Sequence, residues 1–146
     1  MAEKQMNKIV ISLHAEWHGF SSEILWGEKM DEDIYRIDSI PFFANDISLD
    51  DIVKVRIDKD KRLQYEKTIS KGNYCTYRFF FDEDIKSKER KKYLDLLREY
   101  GDTEYYEAKN LYALSVSKQK VHELYKILNQ LETDEVLNFE EGDCIP

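Results

Sequence analysis

The chain has 146 residues, 42% of them apolar and 13% aromatic, enough for a packed interior in one domain or two small lobes. Its formal charge of −8, from 30 acidic against 22 basic side chains, argues against nucleic-acid binding, which needs a clustered basic face. No apolar run approaches the ~18 residues a membrane helix requires. The start, "MAEKQMNKIVISLHAEWH", has too short an apolar core and no cleavage site for a signal peptide, so the expected location is the cytoplasm.

In chain order, "NKIVISLH" (7–14) and "SEILWGEK" (22–29) read as strands, and the turn "MDED" leads to a third, "DIYRIDS" (33–39). There Tyr35 and Ile37 alternate with Arg36 and Asp38, the pattern of a half-solvated strand. "DIVKVRID" (51–58) alternates in the same way. "KDK" turns the chain into "RLQYEKTI" (62–69), where Leu63, Tyr65, Lys67 and Ile69 are expected on one face. "SKGN" then leads to "YCTYRFFF" (74–81).

Between the third and fourth strands lies "IPFFANDISLD". Pro41 fixes its own φ and holds Ile40 extended, ending the strand. Phe42 and Phe43 then point to opposite sides, one into the core and one over an end of the sheet or towards a partner. Ser48 and Asp51 have the spacing of a capping box. The segment reads as a structural corner, with a contact loop as the alternative.

From residue 84 the period changes. Tyr93, Leu96, Leu97 and Tyr100 mark a helix stopped at Gly101. "TEYYEAKNLYALSVS" reads as a hairpin about Lys109 and Asn110. Val121, Leu124, Tyr125, Leu128 and Leu131 mark a second helix with Ser117 as N-cap, and "EVLNFEE" closes as a strand. The expected fold is therefore α+β. A β-rich lobe over 1–73, a small antiparallel sheet or SH3-like partial barrel, is followed by a ferredoxin-like βαββαβ unit over 74–146 with both helices on one face. One compact domain is the alternative to two lobes.

Reaction motifs are scarce. His14 and His18 are four apart, but Ala15 stands where a zinc protease needs Glu, so no metal site is expected. His122 belongs to a solvated helix face. Five scattered glycines make no phosphate loop, and Cys75 and Cys144 match no metal or redox spacing and read as free thiols. No cofactor is expected, and the chain does not read as an enzyme. Were it one, His14, Glu16 and His18 would be the first candidates.

The C-terminal charge stands out. Glu132, Asp134, Glu135, Glu140, Glu141 and Asp143 meet no basic residue from 132 onwards. With Tyr105, Tyr106 and Tyr112 they form the candidate face for a basic protein partner.

The residues Leu25, Trp26 and Glu28, then Tyr35, Arg36 and Ile40 to Ala44, then Ser48, Asp51 and Val53, and finally Gly72, Thr76 and Arg78 resemble an uncharacterised bacterial family of small proteins. The resemblance covers residues 20–82 well and the rest loosely, and it implies no activity. In character the chain is also similar to small acidic immunity proteins, as in contact-dependent growth inhibition. That resemblance implies a non-catalytic inhibitor covering a cationic toxin domain such as a nuclease. A ligand-sensing or regulatory module acting as a dimer is the alternative.

Overall fold

The structure is a computed structural model that describes residues 4–13 and 19–144. Five strands, β1 (Met6–Ser12), β2 (Ser22–Asp31), β3 (Ile34–Ile37), β4 (Ile52–Ile57) and β5 (Leu63–Ser70), form a closed barrel. Neighbours pair antiparallel, and a parallel contact between β1 and β5, with Ile9 opposite Leu63 and Val10 opposite Gln64, closes the ring. Alternation explains the filling: Ile9, Ile11, Leu25, Tyr35, Ile37, Val53 and Val55 point inward and are buried. The corner supplies Ala44 and Ile47 to the same core.

Strand β5 departs from its simple pattern. Val53 faces Thr68 and Lys54 faces Lys67, whereas Val55 faces Tyr65, so Glu66 is an extra residue. One inserted residue reverses which side the following side chains face. Leu63 and Tyr65 consequently pack on the core while Ile69 is exposed, rather than all sharing one face.

The second sheet contains β6 (Tyr74–Phe81), β7 (Gly101–Tyr106), β8 (Leu111–Ser117) and β9 (Leu137–Asp143), in the order β7-β8-β6-β9 and antiparallel throughout. Helices α1 (Ser87–Arg98) and α2 (Val121–Thr133) cover one face. Leu94 and Leu97 of the first and Leu124, Leu128 and Leu131 of the second pack with Tyr77, Phe79, Leu114 and Val116.

The fold class expected from sequence is corrected on two counts. The described residues are mostly β, nine strands in sheets of five and four with only two helices. The first sheet is a closed barrel, not a partial one. The second is not a ferredoxin-like unit appended to it: its helix-free face lies against the barrel's corner, making it one layer of a larger β-structure. Ser48 bonds Thr76, Arg78 donates to Ala44 O, and Asp46 N–H donates to Gly142 O across that contact.

Three local expectations also change. Gly101 does not stop α1; it opens β7, where an added Cβ would come within 2.0 Å of Ser115 O. Lys120, not Ser117, precedes α2, and Ser117 ends β8. Cys75 and Cys144, expected as free thiols, form a disulfide across 69 residues. The β6–β9 register pairs Thr76 with Asp143, so the next rung places the two cysteines opposite each other, their Cα atoms 4.5 Å apart. Sequence spacing carries no trace of that pairing.

The hairpin turn between β4 and β5 yields a pH expectation. The Asp58 carboxylate accepts hydrogen bonds from Gln64 Nε2 and from the Arg62 and Asp60 backbone N–H groups. The Gln64 bond, then the Arg62 N–H, lower its pKa to about 2. A depressed folded pKa means that the turn's stabilisation is present above the unfolded value near 4 and lost as pH falls towards 2. A carboxyl NMR titration of Asp58 should show a midpoint near 2, and a midpoint near 4 would contradict these bonds.

Candidate functional site

The corner between β3 and β4 is built from both sheets. Glu23, inward-facing on β2 and buried, accepts hydrogen bonds from the backbone N–H groups of Phe42 (2.7 Å), Phe43 (3.0 Å) and Ala44 (2.8 Å). One carboxylate thus satisfies three consecutive donors of an irregular segment. Phe43 is buried and Phe42 half-buried. Both rings meet Phe20 or each other and pack against Tyr106 of β7, at centroid distances of 5.4 and 5.5 Å for the two contacts with the tyrosine. Both rings therefore serve the junction. Asp46 and Asp50 turn the backbone through positive φ, 65° and 69°, a conformation that Asp tolerates better than most residues.

Next to the corner lies a buried ionic seam. The Asp51 carboxylate accepts from Ser48 N–H (2.9 Å) and Gly72 N–H (2.8 Å), and Lys71 Nζ donates to it at 2.5 Å and to Asp143 at 2.7 Å. The capping-box reading is half realised, because the Ser48 hydroxyl leaves its own turn for Thr76 and Asp143. Asp51 is fully buried and the Asp143 side chain 4% exposed, while Lys71 is 22% exposed. Burial alone would pull the Lys71 ammonium down, but its bonds to Asp143 and Asp51 outweigh that and raise its pKa. Gly72 and Gly142 allow this closeness: a Cβ on Gly72 would meet the Asp50 backbone at 2.8 Å, and one on Gly142 the Arg78 guanidinium at 2.9 Å.

Above the seam opens a groove of about 680 Å³, whose walls include Asp46, Tyr65, Lys71, Glu140, Glu141 and Asp143. Three of the acids singled out from sequence border it, Glu140 from the corner side of β9 and Glu141 from the helix side, beside Asp143. Glu140 is half-exposed and lies 3.4 Å from Arg78. Glu141 is exposed and accepts from the Tyr77 hydroxyl. The tyrosine's own proton is held more tightly, through burial first and the Glu141 charge second. Asp143 is ion-paired with Lys71 in the seam. Two carboxylates sharing one ammonium leave the seam itself net negative, and exposed Asp46 adds to it.

The other candidates lie elsewhere or are already engaged. Glu132 accepts from Phe139 N–H, Asp134 accepts from Gln130, and Glu135 is an exposed turn residue with φ 60°. Tyr105 and Tyr112 pair across β7 and β8, their rings 4.6 Å apart, and Tyr112 stacks on Phe79. Tyr106 sits among the corner's rings. The six acids and three tyrosines do not form one surface. Sequence reading missed Asp46, Tyr65 and Lys71; the pairing of β6 with β9 and the corner's position bring them in, and neither is visible in local spacing.

Chemically, the groove offers carboxylates and a tyrosine edge to a cationic group. The buried Ser48–Asp143 pair has no access to a substrate, since Ser48 is fully buried. Among the described residues, no group of three or more His, Cys, Asp or Glu could hold a metal ion. His14, Glu16 and His18 lie outside the described residues. His122 is exposed on α2. No described helix is long and apolar enough to cross a membrane.

A family model, DUF4265, described as a domain of unknown function, matches residues 23–139. No curated protein matches the chain. A structure described as that of a hypothetical protein from Neisseria gonorrhoeae is similar, with a TM-score of 0.75 and 23% identity, covering 98% of this chain and 96% of the other. That likeness concerns the fold alone.

Proposed function

The chain belongs to this domain family of unknown function, and we propose that it acts as a non-catalytic binding protein that neutralises a cationic protein. The specific role is that of a cytoplasmic immunity or inhibitor protein covering a basic toxin domain, such as a nuclease. One observation carries the reading: Asp46, Glu140 and Glu141 border one groove above a seam in which two carboxylates share a single ammonium. A site that binds phosphates is rich in Lys and Arg, and carboxylates held on a rigid β-framework attract and orient it. Tyr65 supplies an aromatic wall of the kind enriched in interfaces.

The test is capture at low salt from extracts of the cells that make the protein. Wild type should retain a basic protein, and the triple variant Asp46→Asn, Glu140→Gln, Glu141→Gln should retain at least about tenfold less, the loss of a few charge contacts. A control with the same charge change at the distant turns, Asp31→Asn, Glu32→Gln, Asp60→Asn, should behave as wild type. Equal capture by all three baits, or no basic protein with any, would reject the reading.

A further inference from the structure

We propose that the Cys75–Cys144 disulfide is a thiol-exchange site at which a neutral dithiol unfastens the end of β9. The two sulfurs are unequally placed. Cys75 is fully buried in the core beneath the helices, whereas Cys144 is half-buried and forms part of the groove wall. Of the two cysteines only Cys144 is partly exposed, so an attacking thiolate meets Cys144 first.

What the bond holds is specific. Pairing of β6 with β9 slips at Gly142, the extra residue between the Tyr77–Glu141 and Thr76–Asp143 rungs. Beyond that bulge a single rung precedes the disulfide. Yet this short end carries the links between barrel and sheet: Gly142 O accepts from Asp46 N–H, and Asp143 holds Lys71 and Ser48. The disulfide pins the segment whose position defines both seam and groove.

The reductant's first thiolate bonds to Cys144 Sγ, the Cys144–Cys75 bond breaks, and Cys75 leaves as a thiolate that takes up a proton. The second thiol of the reductant then attacks its own sulfur, releasing Cys144 as a thiol. Two electrons pass to the protein, and the dithiol ends as a cyclic disulfide. A monothiol stalls at the mixed disulfide, because Cys75 lies beside Cys144 and can return. The carboxylate of Glu141, which meets Tyr77 on the helix face that also holds Cys75, repels an anionic monothiol such as glutathione. A dithiol opens the pair and an oxidant closes it again.

The experiment uses the full chain, first oxidised with diamide, then treated briefly with dithiothreitol or with glutathione at equal thiol concentration. Iodoacetamide labelling with peptide mass mapping reads the thiols, and hydrogen exchange reads the amides of residues 140–144. Dithiothreitol should release the pair at least about tenfold faster than glutathione, a gap that narrows in high salt. Cys144 should be alkylated before Cys75, and reduction should speed exchange at Glu141 and Asp143 about tenfold without changing β2. The single variant Cys144→Ser should show that fast exchange with no reductant. Two free thiols after diamide, first labelling at Cys75, or exchange at 140–144 unchanged by reduction would each overturn the proposal.

Discussion

Replacing Glu23 by alanine should destabilise the protein by about 4 kcal/mol, since three charge-assisted hydrogen bonds vanish and the buried Phe43 and Ala44 donors stay behind. Glu23 is remote in sequence from Phe42, Phe43 and Ala44, yet it is their acceptor. Without it the buried Phe43 and Ala44 N–H groups lose their acceptor. Glu23→Gln, which keeps one carbonyl oxygen but turns a donor towards the same N–H groups, should cost about 2 kcal/mol. Urea unfolding of the three proteins measures the series. A loss below about 1 kcal/mol for alanine would mean that water replaces the carboxylate and that the corner needs no internal acceptor.

Lys71→Met should cost about 4 kcal/mol at neutral pH, because it leaves the Asp51 and Asp143 carboxylates buried with no cation between them. The pH dependence is diagnostic. Two like charges without a counter-ion have raised pKa values, so protonating one relieves the strain, and the deficit of the variant should shrink as pH falls from 7 towards 5. In wild type the sign is the same but the pH window is far higher. The Lys71 pKa is raised on folding, so its stabilisation is complete below the unfolded value near 10.5 and fades as pH rises through the folded one. Denaturant midpoints of both proteins between pH 5 and 7, and of wild type above pH 10.5, measure this. A Lys71→Met deficit independent of pH would show that the ammonium contributes packing rather than charge.

Both predictions concern residues whose partners lie far away in sequence, and that marks how much of the structure could be read from residues alone. Alternation located β3 and β4, because Tyr35, Ile37, Val53 and Val55 sit on a sheet with one wet face. The period of Leu124, Leu128 and Leu131 located α2 for the same reason. Pro41 and the adjacent phenylalanines marked the corner, since fixed φ and aromatic bulk are local properties. Local patterns do not say which strands pair. The parallel β1–β5 closure, the second sheet's contact with the corner, and the disulfide all depend on that choice, and there the expected fold class failed. At the site, charge counting noticed Glu140, Glu141 and Asp143. It treated Asp143 as uncompensated because Lys71 lies 72 residues away in sequence and 2.7 Å away in space. Asp46 drew no attention, being one acid among many until the corner set it opposite β9.

The decisive test of the groove as the docking surface is carboxyl footprinting of the protein with its captured basic partner, using carbodiimide and glycine ethyl ester. Labelling of Asp46, Glu140 and Glu141 should fall at least about fivefold on binding, as expected for groups desolvated in an interface, while Glu32 and Asp60 label as before. Undiminished labelling at the three groove carboxylates, with protection appearing on any other face, would contradict the account.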